Sequence, residues 1–268
     1  MKNRKVAVFA GDERQEYLAK LFEKEYEVTK IYKKSDLDEV FDVYILPTPI
    51  SKDGINISND MELTEVIQKI PEKSMIFAGS VSKSVEKLFS NHKMVDFLKK
   101  EELAVLNAIP TAEGAIQIAF EEMPITLSGS KALVIGNGRI GKILSKKLHL
   151  LGADVTVSAR KKEDFADITS NNLKFTYIND ADVENFDVIF NTVPYLVLDE
   201  KILDKILKHT VIIDLASSPG GVDFDYAKKK GKNIIWALSL PAKVAPKTAS
   251  KYIFDTVIDI LYELEVKK

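Results

Sequence analysis

The residues best placed to do chemistry are three glycines in the run Gly136-Asn137-Gly138-Arg139-Ile140-Gly141. A G-x-G-x-x-G run binds a dinucleotide only where a strand leads into it and a helix leaves it. Both are predicted here: Ala132 to Ile135 is a short apolar strand, and Ile140 to Leu151 carries helical periodicity. Gly136 permits the tight turn, Gly138 lets a pyrophosphate approach the backbone, and Gly141 lets helix and strand pack closely. The free N–H groups of the helix start add positive potential for the phosphates. The bland alternative is a glycine-rich turn that holds no ligand; the strand, the helix and the further strands predicted downstream argue against it. About 20 residues past such a fingerprint, an NAD site carries an acidic residue for the ribose hydroxyl. Here that position reads Ser158-Ala159-Arg160-Lys161-Lys162, and Asp154 stands at the wrong end of the strand. No carboxylate opposes a 2′-phosphate there. Arg160 can grip the phosphate and Ser158 can hydrogen-bond it, so the expected coenzyme is NADP, the alternative being a merely solvated basic turn.

Two further loops leave predicted strands at their carboxyl ends, where open α/β sheets bind ligands. They are Asn191-Thr192-Val193-Pro194 and Asp214-Leu215-Ala216-Ser217-Ser218-Pro219-Gly220-Gly221. The expected coenzyme set is therefore Gly136, Asn137, Gly138, Arg139, Ile140, Gly141, Ser158, Ala159, Arg160, Thr192, Val193, Pro194 and Ala216. Asn, Pro and Gly are also ordinary turn residues, which is the plainer reading of these loops. Nearer the start, Asp12, Arg14, Gln15 and Ser80 follow strands, while Thr111 and Glu113 stand where a helix is expected to begin. With Lys243, supported by Lys247, they suit a small anionic substrate, and Arg14 suits a carboxylate clamp. Arg14, Thr111 and Glu113 are the catalytic candidates. Thr111 as a helix cap and Glu113 as a first-turn carboxylate are the structural alternatives.

Composition narrows the rest. The chain has 268 residues, 38 Lys+Arg, 40 Asp+Glu, three His and no Cys. The net charge of −2 offers no nucleic-acid footprint. Lack of Cys excludes thiol chemistry and thiolate metal sites, and His92, His149 and His209 are too scattered for a ligand motif, so no metal is expected. Met1 to Lys5 is polar, so no signal peptide is expected. No apolar run is read as reaching the ~20 residues of a membrane helix.

These groups need elements to position them. Strands are predicted at Val6 to Phe9, Val43 to Leu46, Met75 to Ala78 and Ala104 to Asn107, with a helix from Glu13 and a loop over Lys52 to Asp60. A helix opened by Pro110 and Thr111 runs to Glu122. Strands follow at 132–135, 155–158, 175–178, 188–190, 211–214 and 234–237, with helices near 140–151, 200–207 and 224–230, a loop over Leu240 to Ala245, and a long amphipathic helix over 246–264. The expected fold is α/β: two Rossmann-like parallel-sheet domains with a cleft between them and a C-terminal helix returning to the first. The expected boundaries are 1–122, joined by 246–268, for substrate and 123–245 for NADP.

The GxGRIG form resembles the dehydrogenases of D-2-hydroxy acids. Their substrate Arg and general-base His are missing, because the corresponding loops read Ala216-Ser217-Ser218 and Leu240-Pro241-Ala242-Lys243. Other segments together resemble the family of the dipicolinate synthase A-subunit: GDERQ from Gly11, NAIPTAEG from Asn107, GSKALVIGNGRIGK from Gly129, LGADVTVSAR from Leu151, DLASSPGGVDF from Asp214 and LPAKVAPKTA from Leu240. The likeness runs almost end to end and is weakest between Lys24 and Met75. It implies an NADP-linked Rossmann protein that works with a flavoprotein as second subunit. Together they would oxidise a dihydro- or hydroxy-tetrahydrodipicolinate to dipicolinate, in the cytoplasm of the sporulating mother cell. The chain has Ser218 where some relatives are expected to carry an Arg before the proline; if that Arg binds a substrate carboxylate, Arg14 or Lys243 must compensate here. A homo-oligomer is expected. The rival readings are an NADP-binding scaffold that transfers no hydride, and a dehydrogenase of another small carboxylate.

Overall fold

The computed structural model describes residues 4–51, 53–58 and 61–266. They form two compact units. One contains the described residues up to Asn107 together with those from Ala245 onward; the other is Ala108–Val244.

The first unit, in chain order, contains β1 (Lys5–Phe9), α1 (Glu13–Phe22), β2 (Glu27–Ile31), β3 (Val43–Ile45), β4 (Asn56–Ser58), β5 (Met61–Glu62), α2 (Leu63–Lys69), β6 (Met75–Ala78), α3 (Lys83–Leu88), β7 (Lys93–Asp96) and the start of α4 (Glu101–Glu122). Its main sheet is parallel, in the order β2-β1-β3-β6-β7. Successive side chains of a strand face opposite sides. Ala7 and Phe9 accordingly join one core, with Tyr44 and Ile76, while Val6 and Val8 join the other, with Ile45 and Phe77. A strand buried on both faces reads as a continuous apolar run, which is why VAVF and MIFA are visible in sequence.

The second unit holds the rest of α4, then β8 (Lys131–Ile135), α5 (Arg139–Leu150), β9 (Asp154–Ser158), α6 (Lys162–Ser170), β10 (Lys174–Thr176), β11 (Val188–Asn191), α7 (Glu200–Lys205), β12 (Val211–Asp214), α8 (Phe224–Lys229), β13 (Asn233–Trp236) and α9 (Leu240–Val244). Its six strands are parallel in the order β10-β9-β8-β11-β12-β13, with the order reversing at β8. The last helix, α10 (Pro246–Val266), belongs to the first unit. There Ile253, Val257, Ile260 and Leu261 pack with Leu18, Phe22 and Phe97.

Several expectations are corrected. Ala104 to Asn107 is helix, not strand, because α4 starts at Glu101. Proline is favoured at a first helical position, which places a start at Pro110 in a sequence reading. Burial of Leu103, Ala108 and Ala112 instead carries the helix through it. Thr111 is therefore no cap and Glu113 stands in no first turn. The division between units falls inside α4, after Asn107, rather than after residue 122. Read across Pro110, the helix also contains a long apolar run: α4 has 22 residues, and an 18-residue stretch of it has mean hydropathy 1.3, long and apolar enough to cross a membrane. Its Leu103, Ala112, Ala115 and Ala119 are buried in the protein's own cores. The 52–60 segment, apart from Lys52, Asn59 and Asp60, which lie outside the described residues, includes β4, paired antiparallel with β5. The strand expected over 175–178 stops at Thr176, and a 3-10 turn begins at Ile178. The loop expected over 240–245 is largely α9. Strands β2 and β7 and helices α2, α3 and α6 are further elements beyond those the sequence predicts.

Candidate functional site

At the carboxyl end of β8 the backbone turns sharply. Gly136 has φ +101°, a left-handed conformation that side chains resist. Its N–H donates to the Ser158 carbonyl at 2.8 Å, which fixes the turn to the end of β9. A Cβ on Gly141 would overlap the Gly136 carbonyl, and a Cβ on Gly136 would overlap Thr192 Oγ1 and lie 2.9 Å from Val193 Cγ2. These two glycines are thus required by close packing. Gly138 is different: nothing lies within 4 Å of where its Cβ would stand. It caps α5 without a side-chain hydrogen bond. The turn therefore presents open space beside Gly138 and a helix start that has no side-chain cap.

Thr192 joins this turn through its backbone N–H and its Oγ1, both donating to the Ile135 carbonyl at 2.9 Å. Ala216 is buried, and its carbonyl accepts from Trp236 Nε1 at 2.9 Å. Ser158 and Ala159 are buried at the end of β9, while Arg160 beside them is exposed, with no salt bridge to any described residue. Asn137 turns its side chain aside. Its Nδ2 donates to Asp164 at 3.1 Å and to Asp167 at 2.9 Å on α6. Asp167 also pairs with Lys142 at 3.1 Å. The Asn137 hydrogen bond, followed by Lys142, holds its carboxyl below the ordinary 3.8.

The residues proposed for substrate divide between the units. In the first unit, β1 and β3 are adjacent and their crossovers diverge, the arrangement that opens a crevice at the carboxyl edge. Asp12 caps α1 by accepting from the Arg14 N–H. Arg14 is largely enclosed: Nε and Nη2 bond Asp12, and Nη2 also donates to the Thr48 carbonyl at 2.6 Å. Gln15 is buried, with Nε2 on the Leu46 carbonyl at 2.9 Å. Ser80 is exposed with φ +59°, next to Gly79, whose Cβ would meet Thr48 Cγ2 at 2.7 Å. In the second unit, Glu113 pairs with Lys147 at 2.9 Å. Lys147 lies about 12 Å along α5 from its first residue, so Glu113 stands away from the glycine turn. Thr111 sits two residues before it on the same helix, and Lys243 is exposed on α9.

Two residues that sequence reading took only as loop starts hold much of this edge together. Asn191 and Asp214 are both fully buried and stand opposite each other in the β11–β12 register. Asn191 Nδ2 donates to Asp214 Oδ1 at 2.8 Å. The sequence signal is faint: a polar residue closing an otherwise apolar strand, twice.

Residues 110–219 match the model of the D-isomer specific 2-hydroxyacid dehydrogenase NAD binding domain. The chain is 31% identical to the dipicolinate synthase A-subunit of Bacillus subtilis (strain 168), over 98% of each. The crystal structure of the dipicolinate synthase A-subunit from Bacillus halodurans superposes with TM-score 0.89 at 30% identity, covering 96% of this chain and 97% of that one. The apo-structure of D-lactate dehydrogenase from Escherichia coli shares the fold, with TM-score 0.65 at 16% identity over 98% of both. With that identity to the Bacillus subtilis protein sustained along nearly its whole length, the chain belongs to the family of the dipicolinate synthase A-subunit.

Proposed function

We propose that this chain is the NADP-linked component of a dipicolinate-forming oxidoreductase. The observation that carries the proposal is the β8–α5 turn. Its Gly138 face is open, its helix start is uncapped, and Arg160, free of salt bridges to the described residues, stands one strand away. These residues fit a dinucleotide: the N–H groups of α5 would hold the diphosphate, and Arg160 would hold a 2′-phosphate. When bound, the coenzyme supplies a hydride acceptor. Thr192 to Pro194 and Ala216 would line its nicotinamide half.

A dihydropyridine dicarboxylate that gives up a hydride and a proton becomes aromatic, so the step is strongly downhill. It needs orientation and charge neutralisation more than a strong base. Arg14 would neutralise a substrate carboxylate, with Asp12 and Thr48 fixing the plane of its guanidinium, and Lys243 would add positive charge. The alternative substrate, a hydroxy-tetrahydrodipicolinate, must also lose water. A flavoprotein as second subunit, a homo-oligomeric state and a cytoplasmic location in the sporulating cell complete the reading.

A second reading has its own support: an NADP-binding scaffold that transfers no hydride. Glu113, the one carboxylate among the catalytic candidates, is engaged by Lys147, so no free carboxylate base stands among them. Loss of turnover in Arg14→Ala, with coenzyme affinity intact, favours the enzyme; unchanged turnover favours the scaffold. A panel of small carboxylates checks for a dehydrogenase of another substrate.

The coenzyme is tested by calorimetry. The wild type is expected to bind NADP⁺ roughly ten- to hundred-fold more tightly than NAD⁺, the worth of one charge-assisted bond, and Arg160→Ala to bring the two together. Equal affinities in the wild type overturn the choice of NADP.

A further inference from the structure

The Asp214 carboxylate is fully enclosed at the end of β12, and no Lys or Arg pairs with it among the described residues. Backbone and amide N–H groups satisfy it instead. Oδ1 accepts from Asn191 Nδ2 at 2.8 Å and from the Ala216 N–H at 3.0 Å, and Oδ2 accepts from the Gly221 N–H at 2.9 Å. Asn191 is equally committed. Its Nδ2 also donates to the Val193 carbonyl at 3.0 Å, and its Oδ1 accepts from the Val193 N–H at 3.1 Å. One carboxylate and one amide therefore fasten two loops, 192–194 and 216–221, to each other and to the sheet. A Cβ on Gly221 would overlap Asn191 Nδ2 and lie 2.9 Å from the Tyr195 carbonyl, so the second loop closes on the first with no slack. The first loop in turn presses Thr192 and Val193 against Gly136.

Burying a charge without a cation is costly, and an apolar pair of similar size would fill the space more cheaply. What an apolar pair cannot do is dictate the backbone path of both loops. We infer that Asn191 and Asp214 are positioning residues for the nicotinamide end of the coenzyme. They act by fixing Thr192 to Pro194 and Ala216 to Gly221, without touching the coenzyme themselves. The inference rests on the coenzyme reading above.

The test compares two probes by calorimetry, NADP⁺ and adenosine 2′,5′-bisphosphate, which lacks the nicotinamide half. Asp214→Asn replaces an acceptor oxygen with a donor that must face one of three N–H groups. It is expected to weaken NADP⁺ about ten- to hundred-fold while the bisphosphate stays within about twofold of the wild type. Asn191→Ser, a milder change at the other member of the pair, is expected to show the same split. It is the deciding variant where Asp214→Asn loses its native circular dichroism. NADP⁺ affinity unchanged in a folded variant overturns the inference, and so does equal weakening of both probes. A wild type that binds neither probe overturns the coenzyme reading first, and the inference with it.

Discussion

Gly141 has no room for a methyl group, and that single fact can be measured. Its Cβ would meet a backbone carbonyl, which cannot swing away as a side chain can. Gly141→Ala is expected to cost about 1–3 kcal/mol in urea denaturation through overpacking, and to weaken coenzyme binding with it. Gly138→Ala, where a Cβ meets open space, is expected to leave stability nearly unchanged yet still weaken NADP⁺. A stability loss at Gly138 equal to that at Gly141 would contradict the division of roles. Asn137 offers a second check. Asp167 titrates below its ordinary value mainly because Asn137 bonds the ionised form. Its stabilising contribution is therefore complete above the ordinary carboxylate value and fades as pH falls through the depressed one. In Asn137→Ala the Asp167 titration, followed by NMR, is expected to move upward; an unmoved midpoint would refute the bond. At this scale the sequence was eloquent about glycines and silent about partners. Spacing reveals where a Cβ is forbidden. The reach of Asn137 to α6, 27 and 30 residues on, depends on how α6 packs, and no local pattern encodes it.

Strands stand out in the sequence where an apolar run is buried on both faces. β1, β8, β11 and β12 each hold a buried apolar run with a single polar residue at one end, and stand out; β2 and β7 are edge strands, carry Glu, Lys and Asp, and do not. α4 was cut short because proline is a start signal in isolation, whereas the burial of residues on either side of Pro110 overrides it. α10 was read correctly from its stripe, and its worth can be tested. Ile260 is 4% exposed against the α1 core. Ile260→Ala is expected to cost about 2–5 kcal/mol, the range for a buried aliphatic truncated to Ala, as a lowered urea midpoint. Tyr262→Ala on the exposed side of the same helix is the control, expected to change stability little.

For the molecule as a whole, ligand binding is a stability argument. A coenzyme at 100 times its Kd adds about 2.7 kcal/mol to the state that binds it. Saturating NADP⁺ is expected to slow hydrogen exchange of amides in Ala108–Val244, the turn before α5 and the end of β12 foremost; no slowing there would place the site elsewhere. The two-sheet architecture was visible in the alternation of apolar runs and helical stripes, because each parallel strand needs a crossover helix. The position of the division was not, since it lies within a continuous helix. Because the first unit is completed by α10, its chain is discontinuous, and synthesis feels this. A ribosome must emit the whole second unit, about 140 residues and roughly ten seconds of elongation, before the segment that shields Leu18 and Phe22 emerges. The later-encoded sheet can finish folding while the earlier one still waits with a greasy flank uncovered. A chaperone that meets the nascent polypeptide should therefore find its foothold on α1.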